Sequence, residues 1–237
     1  MRVKALYILA GLVFIVMASV TACSNEQPIT PTTQSLPQQT ASEAIELSRL
    51  AMSNVKSFRF QFTHEIGQTI IALGLELTKA GGLVAPNGIN IEAEANLGRA
   101  FVKIEAAVID EETWMTNPLT GVWSEIAPEN SPFSFIDPVK MVSDILAETK
   151  QAEYVKYTSS NKELLIKGSL PASSLENLVG SVDRYSEPPV FLNIDSETML
   201  LKRVEIRGMV QPEDDPDTVR IITFSDFNKT VSIKRPT

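Results

Sequence analysis

The sequence predicts an α+β fold, in which about ten or eleven antiparallel strands form one long sheet and three helices cover one of its faces. Three observations carry that reading. From Phe58 onward, apolar and polar residues alternate with a period of two in run after run. The runs are joined by turn sequences too short for helical crossovers, so successive strands pair antiparallel. Three segments show the apolar spacing of a helix, and each can lay its stripe on the sheet.

The chain opens with a segment of another kind. Met1-Arg2-Val3-Lys4 is basic, Ala5 to Val20 is almost wholly apolar, and Val20-Thr21-Ala22-Cys23 resembles a bacterial lipobox. Residues 1–22 are therefore expected to be a lipoprotein signal peptide, with Cys23 taking a diacylglycerol on its thiol. A retained signal anchor is the alternative, because about 16 to 18 apolar residues come close to spanning a bilayer. Residues 23–40 form the acylated cysteine and its tether. The stretch SNEQPITPTTQSLPQQ contains Ile29 and Leu36 as its only large apolar residues, so it cannot bury enough surface to offset its ordering entropy. A coil of that length spans about 20–25 Å.

Residues 41–237 are the expected folded domain. Thr40-Ala41-Ser42-Glu43 fits a capping box, with Ala44, Leu47, Ala51 and Val55 on one face of a helix ending near Asn54 to Ser57. Phe58, Phe60, Phe62, His64 and Ile66 then alternate with polar residues. Ile71, Leu73, Leu75 and Leu77 alternate next, followed by Ile89, Ile91, Ala93, Ala95 and Leu97, and by Val102, Ile104, Ala106 and Val108. Trp114 and Trp123 flank the turn sequence Asn117–Gly121 and read as a hairpin. Asp137-Pro138 caps a second helix striped by Val139, Val142, Ile145 and Leu146. Strands near 152–159 and 162–168 lead to a short helix from Pro171, carrying Leu175, Leu178 and Val179 and stopped by Gly180. Strands at 189–195, 200–209 and 218–226 complete the sheet.

Composition removes several function classes. Lys+Arg 21 against Asp+Glu 29 gives a net charge of −8, which argues against nucleic acid as a partner. Cleavage after Ala22 removes two cations and no acid, so the mature domain is more acidic still and its membrane attachment rests on acyl chains. One Cys and one His forbid an internal disulfide and a His-pair zinc site. No Gly-x-Ser-x-Gly elbow or phosphate loop is present. His64, on the same face as the three phenylalanines, reads as a satisfied or rim histidine. The acidic runs Asp110–Glu112 and Glu213–Asp217 read as solvated turns, with weak calcium binding as the alternative. The two tryptophans read as hairpin packing, or else as an amphipathic rim. No catalytic residue, metal or cofactor is expected.

A resemblance adds to this reading. Thr113–Trp123, Ile136-Asp137-Pro138, Ile166–Pro171, Val190–Asp195, Leu201–Ile206 and Phe224–Asn228, in this order and spacing, resemble the LppX/LprG group of mycobacterial-type lipid-binding lipoproteins across roughly residues 41–235. The resemblance implies a curved antiparallel half-barrel wrapped over its helices, LolA/LolB-like, with a large apolar cavity between them. It also implies a lipid or glycolipid ligand, carriage through the cell envelope, and no catalytic motif. The walls of such a cavity are expected among Phe58, Phe60, Phe62, Leu73, Leu75, Ile91, Ala93, Ala95, Val102, Ile104, Ala106, Val142, Ile145, Leu146, Val204 and Ile206. The small residues Gly74, Ala93, Ala95 and Ala106 would leave room for acyl chains, or else pack closely against a helix. The Pro-, Asn- and Ser-rich loop 128–138 is a candidate mouth. The expected protein is extracytoplasmic and lipid-anchored through Cys23, with an envelope transporter as a possible partner. The alternative is a non-enzymatic scaffold or accessory lipoprotein that grips a protein partner in its apolar groove.

Overall fold

A computed structural model describes residues 39–158 and 162–236. The signal segment 1–22, Cys23 and nearly all of the tether lie outside the described residues.

Helix α1 (Ala41–Ser53) begins at the predicted capping box: the Glu43 amide donates to Thr40 Oγ1, and the Thr40 amide donates to the Glu43 carboxylate at 2.7 Å. These reciprocal bonds satisfy two otherwise orphaned donors. Its buried face differs from the predicted stripe. Ala41, Ala44, Ile45, Ser48 and Met52 face inward, while Leu47 is 43% exposed. The face carries the small Ala41, Ala44 and Ser48 beside Ile45 and Met52, which enter the main core, and α1 packs on the second helix.

Among the described residues twelve strands make one sheet, and each pairing is antiparallel. They are β1 (Phe58–Ile66), β2 (Thr69–Ile71), β3 (Leu75–Ala85), β4 (Gly88–Leu97), β5 (Ala100–Ile109), β6 (Glu112–Thr116), β7 (Trp123–Ile126), β8 (Lys150–Thr158), β9 (Glu163–Ser169), β10 (Pro189–Asp195), β11 (Leu201–Arg207) and β12 (Val219–Ser225). The extra strand over the predicted number is β2. The alternating run that begins at Ile71 is interrupted by a 3₁₀ turn over Ala72–Gly74, where Gly74 takes φ +70°. Leu73 therefore lies in a turn and not on a strand, and its side chain is outside what is described. Gly74 is likewise an exposed turn glycine and no part of a sheet wall.

The sheet order is β7-β6-β5-β4-β3-β1-β12-β11-β10-β9-β8, with β2 on the end of β3. Two meanders, β3–β7 and β8–β12, thus become two wings of one open sheet, joined by β1. Phe60 pairs with Gly82 on one side and with Phe224 on the other.

Among the described residues three helices lie over the inner face and share its apolar core. Helix α2 (Pro138–Glu148) starts at Asp137, whose carboxylate accepts from the Lys140 amide, with proline at the first helical position. Met141, Val142, Ile145 and Leu146 are buried, whereas Val139 is 58% exposed, against the predicted stripe. A 3₁₀ turn at Ala172–Leu175 leads into α3 (Glu176–Val179), which ends at Gly180 with φ +80°.

The outer face is not uniformly wet. Ala85, Ala107 and Ile109 form a second small cluster with Ile233, and Trp114, Trp123 and Val231 pack against it. Both tryptophans thus serve packing, and the C-terminal residues that cover them had no place in the sequence reading.

Candidate functional site: an apolar pocket at one end of the sheet

The two wings are filled differently. In the β8–β12 wing the inward residues are Leu164, Ile166, Leu192, Ile194, Leu201, Val204 and Ile206, each at most 1% exposed. In the β3–β5 wing they include Ala80, Gly82, Ala93, Ala95 and Ala106, brought onto one face by the register Phe60–Gly82–Ile91–Ala106. Gly82 and Gly88 are required by backbone approach. A Cβ on Gly82 would sit on the Asn90 carbonyl oxygen, and one on Gly88 on that of Val108.

Small side chains opposite a loop leave space. A pocket of about 480 Å³ lies between Val84, Ile89, Ile91, Ala106 and Val108 of the sheet and Phe133, Ile136, Pro138 and Val139 facing them. Loop 127–137 is built to stand off the strands. The Ser131 amide bonds Pro128 O, the Phe133 amide bonds Ser131 Oγ at 3.2 Å, and the Ile136 amide bonds Phe133 O. Phe133 is 4% exposed and seats the loop in the core, with Ser131 buried beside it and Ser134 and Asp137 exposed at the rim. Glu111, Ser134 and Asp137 stand there beside apolar walls. A smaller cleft of about 200 Å³, between Met52, Val55, Phe58, Val142 and Leu146, also touches Val139. The larger volume falls in the usual range of small-molecule sites, ~300–1,000 Å³.

Of the expected wall residues, Ile91 and Ala106 line the larger pocket, and Phe58, Val142 and Leu146 line the smaller cleft. Phe60, Phe62, Leu75, Ala93, Ala95, Val102, Ile104, Ile145, Val204 and Ile206 are buried in the main core. Val84, Ile89 and Val108 were not singled out as walls, although they continue the inward alternation of their strands. Phe133 and Ile136 carry no periodic signal, because they sit in a loop. Val139 lies on the predicted stripe, yet it faces the pocket and not the core.

The opposite end of the inner face is closed by polar groups. Arg220 is fully buried and pairs with Asp214, whose side chain is 3% exposed, at 2.6 and 2.8 Å through two guanidinium nitrogens. Asp214 also accepts from the amides of Val210 and Gln211. The acidic run 213–217 is therefore not wholly a solvated turn. Arg220 Nε donates to Thr69 Oγ1, which stands 2.9 Å from His64 Nε2, while His64 Nδ1 is 3.1 Å from Thr78 O. A carbonyl can only accept, so Nδ1 carries the proton and Nε2 accepts from the Thr69 hydroxyl. Burial, reinforced by Arg220, holds the His64 imidazole below its usual pKa, against the Thr78 carbonyl and Asp214. Both ring nitrogens are engaged, which leaves neither free to act as a base on a ligand.

No protein-family model matches the chain, and no curated protein matches it in sequence. Solved structures do match. LprF from Mycobacterium bovis superposes with a TM-score of 0.61 at 14% identity, covering 83% of this chain and 96% of that one. Lipoprotein LppX from Mycobacterium tuberculosis superposes with a TM-score of 0.57 at 18% identity, covering 82% of this chain and 98% of the other. The chain, an open antiparallel sheet with helices over one face, thus has the fold of the LppX/LprG-type lipoproteins.

Proposed function

We propose that this protein is a membrane-anchored lipoprotein that holds the acyl chains of a lipid or glycolipid in the apolar pocket and carries it through the cell envelope. The observation that carries the proposal is the 480 Å³ pocket at the mouth end of the β3–β5 wing, with mostly aliphatic walls and a rim of Glu111, Ser134 and Asp137. Dry aliphatic walls suit an acyl chain and the polar rim suits a headgroup. Withdrawing a sixteen-carbon chain from water contributes about 12 kcal/mol, so capture requires no hydrogen-bond code. The shared fold with LppX and LprF supports the same reading.

Anchoring rests on Cys23 at the end of the apolar leader, and it places the domain outside the cytoplasm. No helix among the described residues is long and apolar enough to cross a membrane. The role is binding and carriage without catalysis, in keeping with a histidine whose two nitrogens are both engaged.

Native mass spectrometry of residues 41–237 produced in the native host, followed by lipid extraction, tests the proposal. One lipid per protein is the expected result. Protein that emerges empty and takes up no added lipid overturns it, and the groove is then a site for a protein partner.

A further inference from the structure

The C-terminal residues 229–236 form no strand, yet they are held at defined points across the outer face of the β3–β6 region. Ser57 fixes the start, its hydroxyl donating to Lys229 O at 2.7 Å and its carbonyl accepting from the Asn228 amide. Asn87, in the β3–β4 turn, then grips Ile233 as a neighbouring strand would. Its Nδ2 donates to Ile233 O at 2.9 Å, and its Oδ1 accepts from the Ile233 amide at 3.0 Å. The Ile233 side chain is 9% exposed, in the cluster with Ala85, Ala107 and Ile109. Arg235 pairs with Glu112, which opens β6 and also accepts from the Trp114 indole.

Asn87 and Glu112 belong to the two turns that form the sheet-side rim of the apolar pocket. Gly88, Glu111 and Thr113, their immediate neighbours, line it, and the Asp110 amide bonds Asn87 O across the two turns. Further from the rim the sheet has space against both of its faces. Ile91 and Ala106 border the pocket within and a hollow of about 480 Å³ without, between the sheet and Ser232–Pro236. Strands that border space on both faces make fewer of the dispersion contacts that would stiffen them, which favours local opening there.

We propose that residues 229–236 are a strap that pins the sheet-side lip of the pocket from behind and so sets how readily the pocket opens and exchanges its lipid. The exchange part of this rests on the carrier reading above; the pinning does not. Loop 128–138 forms the opposite lip, so the mouth has one side fixed by its own turns and one fixed by a strap that can be released without breaking a strand.

Three forms of the full chain decide the matter: wild type, Arg235→Ala, and a form ending after Thr230. Arg235→Ala leaves Ile233 seated, so it remains informative where the truncation unfolds. Hydrogen exchange at the amides of Gly88 and Asp110–Thr113 reads the pinning, and release of cis-parinaric acid, a fluorescent long-chain fatty acid, reads the opening. The expected result is about tenfold faster exchange at these amides in the truncated form, a smaller rise in Arg235→Ala, and faster probe release at unchanged stoichiometry. Unchanged rim exchange in both variants overturns the strap. Faster rim exchange with unchanged probe release overturns its control of opening. Wild type that takes up no probe sinks the carrier reading instead, and rim exchange alone then upholds or overturns the pinning.

Discussion

The two wings of the sheet have the same pairing and the same alternation, yet one is solid and the other is hollow. Leu192, Ile166 and Val204 meet across β9–β11 with no exposed surface, whereas Ile91 and Ala106 meet across β4–β5 at the wall of a pocket. Period-two patterning decides which face is inside; side-chain volume decides whether the inside is filled. The inner face itself is also unequal along its length, polar and locked at the Arg220 end, apolar and open where β3–β4 and β5–β6 turn.

The largest expected effect is at the closed end. Asp214→Ala strands the Arg220 guanidinium in the core and removes the acceptor of two backbone amides, which costs about 3–5 kcal/mol. Denaturant unfolding measures it. A loss below about 1 kcal/mol would show that the buried pair is not what locks this end. Next come paired truncations. Leu192→Ala in the solid wing opens a new cavity and costs about 2–5 kcal/mol, whereas Val108→Ala, at a wall that already faces space, costs about 1 kcal/mol. Equal losses would mean that the hollow wing is packed in solution and the comparison fails.

A filling substitution probes the same contrast from the other side. Ala106→Phe projects a ring into existing space, so stability changes by less than about 1 kcal/mol and, on the proposed carrier function, lipid per protein falls. Ala95→Phe, at a position with no exposed surface, overpacks and costs about 1–3 kcal/mol. Should Ala106→Phe carry as much lipid as wild type, the acyl chain lies elsewhere.

Much of this architecture was legible residue by residue. Thr40 and Glu43 announced α1, Asp137-Pro138 announced α2, and the inward rows of β1, β4 and β5 could be read directly because alternation is a local signal. What escaped depends on contacts distant in the chain. That β1 lies between β3 and β12, pairing Arg59 with Ser225, has no local mark. Nor could Arg220 be told from a solvated strand residue before Asp214 was seen beside it, or the strap from a frayed end before Asn87 was seen to hold Ile233. Small residues at 93, 95 and 106 allowed either space or close packing, and sequence could not separate Ala106, which lines the pocket, from Ala95, which a neighbour covers.

The smallest effect expected is one of pH, and it again distinguishes the locked end from the open one. His64 is held neutral by burial and by a relay in which Arg220 donates to Thr69 and Thr69 to Nε2, so its pKa in the fold lies below its unfolded value of about 6.5. Above that value neither state binds a proton there, and the contribution to stability is complete. As pH falls below about 6.5 the unfolded chain takes up a proton that the fold resists, and stability declines until the depressed folded pKa is passed. Acids act lower in the scale. Burial pushes the Glu205 carboxyl up, but Arg203 and Arg207 more than offset this, so Glu205 adds its loss below about pH 4.5. Thermal unfolding between about pH 7 and 5 thus isolates His64, and His64→Gln, which keeps a donor and an acceptor, should flatten the slope there. The lips of the pocket hold no histidine, so probe release across the same interval should stay level while stability falls. A release rate that tracked the His64 titration would show the two ends to be mechanically coupled.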